Sequence, residues 1–260
     1  MRVAIFYNAK TNPQNKKYAL ETATILEKYK IKHFLNPKEE DANKVDLAFA
    51  VGGDGTVLYV ANLLASHKIP ILGINFGHRG YLCETQKNEI EDCVQKIIEG
   101  KYEIEEKTRI QAEIKKQSDF ASILEALNEI SVGGINRTIH IEAKIITPQT
   151  SVKTTITGDG VIVATRTGST AYNINAGGPM LLAEVLSIVA NNAFFQSDSF
   201  MPCTKSLVVP SETVIEIKNL SHNTANLPYI IADGQKSLKL GKDDSIFIKK
   251  AKNKNYFIKF

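Results

Sequence analysis

The sequence predicts an α/β fold in two parts: an N-terminal Rossmann-like domain at residues 1–107 and a mainly β domain at residues 108–260. In the first part, short apolar runs alternate with segments of helical periodicity, which is typical of a parallel sheet covered by helices. In the second part the period falls to two residues, as expected for antiparallel strands buried on one face. The chain has 260 residues and is 43% hydrophobic, which is enough to build two cores.

The N-terminal elements follow in the order βαβαβ. Residues 2–7 form an apolar run that predicts a buried strand. Asn12 then predicts a helix N-cap and Pro13 a first helical residue, and the helix extends to about Lys30. Its apolar residues recur on one face at the 3.6-residue period of a helix that packs on a sheet.

A second apolar run, residues 45–51, predicts a fully buried strand, and the glycine-rich turn Gly52–Thr56 follows it directly. Residues 57–64 predict another helix, and residues 70–74 the next strand. Residues 88–98 form the clearest helix, because apolar side chains fall at positions i, i+3, i+4, i+7 and i+8.

The C-terminal part contains short strands. Apolar residues alternate with polar ones at Ile139, Ile141, Ala143 and Ile145, which predicts a half-buried strand. Further strands are predicted at Thr155–Thr165, Ser206–Val209, Val214–Lys218, Tyr229–Ala232 and Ser245–Lys249. The last strands are candidates to return to the first domain.

The composition argues against several classes of protein. Basic side chains number 32 and acidic ones 28, and no nucleic-acid-binding motif accompanies the lysines near the C-terminus, so we expect no nucleic-acid partner. The three cysteines are widely spaced and form neither a CxxC pair nor a disulfide framework, which favours a cytoplasmic localisation. Apolar runs are too short to span a membrane, so no membrane partner is expected either.

The turn Gly52–Thr56 lies at the carboxyl end of a predicted strand, where open α/β sheets bind ligands. It is not a Walker A loop, because no Gly-Lys-Ser/Thr follows, and it is not Gly-x-Gly-x-x-Gly. Its glycines let phosphates approach backbone N–H groups, and Asp54 offers a carboxylate. Taken alone, Asp54 is equally consistent with a turn residue that caps the next helix and with an acid that contacts a ligand.

Two further segments carry polar groups suited to a nucleotide. The first lies between residues 158 and 179 and contains Gly158–Gly160, Thr167–Tyr172 and Gly177–Pro179. Its hydroxyls suit the hydroxyls and phosphates of a nucleotide, and the ring of Tyr172 can stack on a base, although a hairpin turn with a helix cap is the plainer interpretation. The second is Asn128-Glu129, which can hydrogen-bond ribose hydroxyls, although an isolated pair is normally a polar loop.

In this order, the segments resemble the NAD kinase family over nearly the whole chain. The matching segments are Gly52–Thr56, Asn128-Glu129, Gly158–Gly160, Thr167–Tyr172 with Gly177–Pro179, and Asp233-Gly234-Gln235. The Gly-Gly-Asp-Gly-Thr element is shared with diacylglycerol and sphingosine kinases, whereas the Asn-Glu pair and Thr-Gly-Ser-Thr-Ala-Tyr are specific to NAD kinases. The resemblance therefore implies the two-domain NAD kinase fold.

The resemblance also implies the reaction: a transfer of phosphate from ATP to the 2′-hydroxyl of the adenosine ribose of NAD, giving NADP. Mg²⁺ or another divalent cation on ATP suffices for such a reaction, because positioning and charge neutralisation dominate it, so no metal site of protein side chains is expected. A homodimer or homotetramer is implied as well. Polyphosphate is an alternative donor, and the alternative functions are a related lipid kinase of the diacylglycerol type and a catalytically silent NAD(P)-binding sensor.

Each matched residue acquires an implied role. Asp54 is the implied catalytic residue, as general base or as the group that orients the hydroxyl. The implied contacts to NAD are made by Gly55, Leu58, Tyr81, Asn128, Glu129, Asp159, Thr167, Thr170, Ala171, Tyr172 and Asn175. The implied contacts to phosphates and nucleotide are made by Gly52, Gly53, Thr56 and Arg79, and the weaker candidates are Gly168, Ser169, Asp233 and Gln235.

The sequence departs from the family pattern at three places. Gly77–Leu82 keeps the glycines and an aromatic ring of the usual Gly-x-Leu-Gly-Phe-Leu segment but adds Arg79, which is a candidate for a phosphate contact and equally for a solvated surface residue. Thr157 stands where many relatives carry arginine, and Asn175 stands where a serine is common. The last two departures fall among the implied contacts to the nicotinamide half of NAD.

Overall fold

The computed structural model describes residues 1–10, 12–77, 80–116, 119–134, 138–194, 206–220, 227–242 and 244–260. The chain divides into two compact units. Unit 1 comprises Met1–Lys107 and Asn253–Phe260, and unit 2 comprises Thr108–Lys252. Each unit has a hydrophobic core of its own.

Unit 1 is a parallel α/β layer. Its strands are β1 (Arg2–Tyr7), β2 (Lys32–Leu35), β3 (Leu47–Val51), β4 (Pro70–Asn75) and β5 (Thr85–Gln86). Its helices are α1 (Gln14–Lys28), α2 (Asp54–Leu63) and α3 (Ile90–Ile98), with 3₁₀ turns at Glu39–Lys44 and Lys87–Glu89. The strands pair in parallel in the order β2-β1-β3-β4, with β5 beside β4. The strand order therefore reverses between β1 and β3, which is where such sheets bind ligands.

The hydrophobic pattern accounts for these elements. All five residues of β3 are buried, as predicted for a strand covered on both faces. One face of α3 is buried through Ile90, Cys93, Val94 and Ile97, as its period predicted. The start of α1 differs by one residue: Pro13 is the N-cap, and the Oδ1 atom of Asn12 accepts a hydrogen bond of 3.0 Å from the backbone N–H of Gln14. Asn12 thus forms a turn before the helix rather than its cap.

The last strand, β17 (Ser245–Lys259), is much longer than the predicted segment, which ended at Lys249. Its final residues belong to unit 1, where Tyr256 and Phe257 pair in parallel with Pro70 and Ile71 of β4. The C-terminus therefore contributes a strand to the sheet of unit 1.

Unit 2 is mainly β. Its strands are β6 (Glu103–Lys116, starting in unit 1), β7 (Asp119–Ala126), β8 (Glu129–Gly133), β9 (Ile139–Ile146), β10 (Ser151–Gly158), β11 (Gly160–Ala164), β12 (Val185–Asn191), β13 (Ser206–Pro210), β14 (Val214–Asn219), β15 (Tyr229–Ala232) and β16 (Lys236–Lys239). One antiparallel sheet has the order β13-β12-β11-β8-β15-β16. Another joins β10, β9, β14 and the start of β17. Residues of both sheets form one core. The parallel α/β unit and the mainly β unit confirm the predicted fold class.

The predicted strand Thr155–Thr165 is in fact two strands, β10 and β11, which lie in different sheets. The chain breaks at Asp159, and Gly160 has a φ of 156°. A Cβ at Gly160 would lie 2.3 Å from the carbonyl oxygen of Val132, so the close approach of β8 requires glycine there. The strands β2 and β12 and the β6–β7 hairpin were not predicted.

A short helix, α4 (Tyr172–Asn175), and a 3₁₀ turn at Thr167–Thr170 follow β11. Within the described ranges, no helix is long and apolar enough to cross a membrane.

Asn255 links the C-terminal strand to the end of α2, and this contact generates a prediction. Its side chain is almost completely buried and donates a 2.8 Å hydrogen bond to the carbonyl of Ala61, one of the last carbonyls of that helix. We expect Asn255→Ala to lower the free energy of unfolding by about 1–3 kcal/mol, because a buried acceptor loses its donor. Denaturant titration checks this. Lys252→Ala, at an exposed position of the same strand, is the control and should change stability little; an equal loss in both variants contradicts the assignment.

Candidate active site

The turn after β3 begins with a glycine that packing requires. The N–H of Gly52 donates to the carbonyl of Ile74 at 2.9 Å, and its φ is 150°. A Cβ at this position would lie 2.4 Å from Oγ1 of Thr56, which is itself buried. Gly52 and Thr56 therefore pack against each other within the turn and fix its conformation.

Gly53 and Gly55 differ from Gly52, because a Cβ at either position would meet no atom of the described residues within 4 Å. Gly53 is the N-cap of the ten-residue α2, and Gly55 is its second residue. Glycine costs helix stability compared with alanine, and neither packing nor a left-handed backbone requires it here. Open space beside the first N–H groups of a helix is the geometry that binds anions such as phosphates.

Asp54, the first residue of α2, has a fixed carboxylate. Its Oδ2 atom accepts a 2.9 Å hydrogen bond from the backbone N–H of Tyr81, and Oδ1 accepts one of 3.1 Å from that of Leu82. A Cβ at Gly80 would lie 2.1 Å from Oδ1, so only glycine lets the two segments meet this closely. A carboxylate has about four acceptor sites, so Asp54 can still accept a proton or a hydrogen bond from a ligand hydroxyl.

Cys83 lies beside this carboxylate but is not a candidate nucleophile. Burial, followed by the negative charge of Asp54, raises the pKa of its thiol to about 12. The thiol therefore stays protonated near neutral pH, and it faces the carbonyl oxygen of Gly52 at 3.4 Å.

The other predicted residues of unit 1 have different environments. The ring of Tyr81 is 74% exposed, whereas Leu58 is buried in the core. Arg79 lies outside the described residues.

In unit 2, Asn128 and Glu129 form a buried pair at the start of β8 rather than a polar loop, with exposed fractions of 6% and 8%. Among the residues the structure describes, Oδ1 of Asn128 and Oε2 of Glu129 have no hydrogen-bond partner. Buried polar atoms are normally paired, so two such oxygens on adjacent residues indicate a place for a ligand that supplies donors.

The carboxyl group of Glu129 is unusual. Burial and, to a smaller extent, the charge of Asp233 raise its pKa to about 7, against the opposing effect of a hydrogen bond from the backbone N–H of Tyr172. Glu129 therefore changes between a neutral and an ionised form near physiological pH.

Asp233 binds the backbone of the segment that contains Asn128 and Glu129. It is 7% exposed, and its carboxylate accepts hydrogen bonds from the backbone N–H groups of Leu127 (2.9 Å), Asn128 (2.7 Å) and Glu129 (3.3 Å). The neighbouring Gln235 is exposed. The structure thus gives Asp233 contacts within the chain, which sequence reasoning did not anticipate.

A cavity of about 420 Å³ lies in unit 2 next to Asp159 and Tyr172. The Oδ2 atom of Asp159 accepts a 3.2 Å hydrogen bond from the side chain of Asn192, and the hydroxyl of Tyr172 accepts one of 3.0 Å from that of Asn191. The sequence analysis missed both asparagines, because they lie at the end of the unpredicted strand β12 and directly after it and belong to no motif. They fix two predicted ligand residues at one cavity.

In the 3₁₀ turn at Thr167–Thr170, Gly168 and Ser169 are buried, whereas Thr167 and Thr170 are more accessible. Gly168 packs against the backbone of Asn128, where a Cβ would lie 2.0 Å from the carbonyl oxygen. The fully buried hydroxyl of Ser169 donates to the carbonyl of Arg166 and accepts from the N–H of Leu181. The more accessible predicted residues are Thr167, Thr170, Ala171 and Asn175.

No cluster of three or more histidine, cysteine, aspartate or glutamate residues that could hold a metal ion occurs in the described part of the chain.

Two family models match the chain. The model of the ATP-NAD kinase N-terminal domain matches residues 4–102, and that of the ATP-NAD kinase C-terminal domain matches residues 127–260. The NAD kinase of Caldanaerobacter subterraneus subsp. tengcongensis is 35% identical over 229 residues, which cover 83% of this chain and 77% of that protein.

Two solved structures are similar to the chain. One is an NAD kinase from Archaeoglobus fulgidus in complex with ATP, with a TM-score of 0.76 and 30% identity, covering 99% of this chain and 93% of that one. The other is yeast NADH kinase complexed with NADH, with a TM-score of 0.84. It is 22% identical, covers 100% of this chain and 83% of that one, and supports the fold alone.

The raised pKa of Glu129 predicts a pH-dependent stability. Because the pKa in the folded chain, about 7, exceeds the ordinary value of 4.5, folding favours the protonated form. The protonated carboxyl group of Glu129 makes its full contribution to stability below the ordinary pKa of 4.5, and this contribution is lost as the pH rises through about 7. Glu129→Gln stays neutral at every pH. We therefore expect the difference in unfolding free energy between this variant and the parent chain to grow in favour of the variant by about 2–3 kcal/mol from about pH 5 to about pH 9.

Denaturant titration at both pH values measures this gain, with Glu39→Gln, at an exposed position, as the control. A constant difference between Glu129→Gln and the parent at both pH values contradicts the account.

Proposed function

The chain belongs to the NAD kinase family, and from that premise we propose which of its residues carry the reaction. The chain is a kinase that phosphorylates NAD with ATP. The acceptor is the 2′-hydroxyl of the adenosine ribose, the bond from the γ-phosphorus to the bridging oxygen breaks, and the products are NADP and ADP.

Asp54 accepts the proton of the ribose hydroxyl or holds the hydroxyl in line with the γ-phosphorus. Phosphoryl transfer passes through a loose transition state, so a fixed acceptor for one proton contributes mainly by orientation. The observation that carries this assignment is the pair of hydrogen bonds from the N–H groups of Tyr81 and Leu82, which fix the carboxylate beside a glycine turn.

The phosphates of ATP lie against the N-terminus of α2. Gly53 and Gly55 support this, because a Cβ at either position would enter space that the described residues leave open. Backbone N–H groups at a helix N-terminus favour negative charge. A divalent cation carried by the triphosphate would neutralise charge there, and the described residues offer no separate cage for it.

The nucleoside parts of NAD bind to unit 2. The unpartnered oxygens of Asn128 and Glu129 accept hydrogen bonds from the adenosine end. The half-exposed ring of Tyr172 stacks on the base, and Asp159 contacts the nicotinamide half of NAD at the 420 Å³ cavity. Further contacts to NAD are made by accessible residues in and between the 3₁₀ turn and α4, namely Thr167, Thr170, Ala171 and Asn175.

Three further properties rest on the family resemblance. The protein uses Mg²⁺ or another divalent cation with ATP, assembles as a homodimer or homotetramer, and works in the cytoplasm.

The role of Asp54 is tested by Asp54→Asn. We expect the turnover number to fall by about a hundredfold or more, as is typical for the loss of an acid–base group, while NAD affinity stays within a few-fold. A coupled assay of NADP formation gives the rate, and calorimetry with NAD gives the affinity. Equal losses of rate and affinity would mean that the residue is structural. Asp46→Asn, which removes an exposed carboxylate that binds Arg2, is the matched control.

The phosphate site is tested by Gly55→Ala. The added methyl group enters open space, so the variant should fold and gain up to about 1 kcal/mol of stability from better helix propensity. The same methyl group enters the phosphate site, so the KM for ATP should rise about tenfold or more, equivalent to about 1.4 kcal/mol. Thermal melts and steady-state kinetics measure both effects. A more stable variant with an unchanged KM for ATP would place the phosphates elsewhere.

A further inference from the structure

The segment Leu127–Glu129 is held from two sides. On one side, the carboxylate of Asp233 accepts hydrogen bonds from all three of its backbone N–H groups, at 2.7–3.3 Å. In return, the N–H of Asp233 donates to the carbonyl of Glu129 at 3.0 Å. The aspartate and the segment are thus joined by four hydrogen bonds.

On the other side, Thr165 binds the carbonyls. Its hydroxyl donates to the carbonyl of Leu127 at 2.6 Å, and its N–H donates to that of Asn128 at 2.9 Å. With the backbone fixed on both sides, the oxygens that remain unpartnered in this part of the described chain are on the side chains of Asn128 and Glu129.

Asp233 is placed to act within the protein rather than on a ligand. It is buried, its two carboxylate oxygens share three backbone donors, and its backbone φ of 51° is one that few residues other than glycine adopt. Its charge is compensated by the guanidinium of Arg109, which is 1% exposed and also bound to Glu125 at 3.3 Å. Burial of a carboxylate costs free energy, and the three backbone donors offset that cost here.

We propose that Asp233 is a positioning residue for NAD binding: its carboxylate fixes the Leu127–Glu129 backbone so that the side-chain oxygens of Asn128 and Glu129 point at the nucleotide. This inference rests on the proposed NAD site. It assigns Asp233 no contact with NAD, so the residue acts through the pair it holds.

Asp233→Asn tests the proposal, because it keeps the shape but replaces one acceptor oxygen with an NH₂ group that repels a backbone N–H. We expect the KM for NAD to rise about tenfold or more, while kcat and the KM for ATP stay within about threefold, because the segment that carries Asn128 and Glu129 loses a hydrogen bond to a charged acceptor. The matched control is Asp244→Asn, where the carboxylate accepts a 2.9 Å hydrogen bond from the N–H of Gly241; it should leave both KM values unchanged.

A second readout separates positioning from a general loss of packing. The groups that face Glu129 are the carboxylate of Asp233, with Arg109 and Glu125 behind it, and the N–H of Tyr172. The ionised Glu129 is the stronger acceptor for a ribose hydroxyl, so kcat/KM for NAD should rise with pH through about 7. Asp233→Asn removes a negative charge that opposes this ionisation, and the midpoint should move down by about half a pH unit or more.

The outcomes are distinguishable. No turnover of NAD by the parent chain contradicts the proposed function itself. Turnover by the parent, with an unchanged KM for NAD and an unchanged midpoint in Asp233→Asn, overturns the positioning role alone. If Asp233→Asn fails to fold, Thr165→Val replaces it, since it removes the hydroxyl that donates to the carbonyl of Leu127 in the same segment. A folded Thr165→Val chain with an unchanged KM for NAD also overturns the proposal.

Discussion

Backbone N–H groups that hold the carboxylate of Asp54 are the constraint on which the candidate site depends. The donors, Tyr81 and Leu82, lie 27 and 28 residues further along the chain. The position of the carboxylate is therefore set by the pairing of β3 with β4 as much as by its own turn. A group fixed in this way loses little freedom when it meets a substrate, which is the physical basis of orientation in catalysis.

Unit 2 uses the same interaction for a different purpose. The carboxylate of Asp233 also binds backbone N–H groups, but it is buried, and it holds a segment whose side chains keep unpartnered oxygens. In unit 2, the side chains of Asn128 and Glu129 keep acceptor oxygens without a partner among the described residues. In unit 1, the space beside Gly53 and Gly55 is open. Acceptors suit ribose hydroxyls, and open space at a helix N-terminus suits phosphates, so the chemistry of the two sites matches that of a nucleotide kinase.

Local patterns in the sequence predicted the fold class, the buried strand β3 and the helix α3, because burial of one face leaves a period in the chain. They also located Asp54, since glycines around an acid are a local signal. They gave Thr155–Thr165 as a strand and a hairpin turn as the plainer interpretation of Gly158–Gly160. They did not show that β10 and β11 lie in different sheets, because that depends on the contact of Gly160 with Val132, a residue distant in the chain. The contacts of Asp233 with residues 104–106 positions earlier, and those of Asn191 and Asn192, depend on strand pairing that no short motif records.

The most direct measurement is a crystal structure of the chain with NAD and a non-hydrolysable ATP analogue. The account predicts an oxygen of Asp54 at about 2.6–3.2 Å from the 2′-oxygen of the adenosine ribose, with that oxygen in line with the γ-phosphorus. An adenosine ribose hydrogen-bonded to other groups, with Asp54 bound only to the N–H groups of Tyr81 and Leu82, would contradict it.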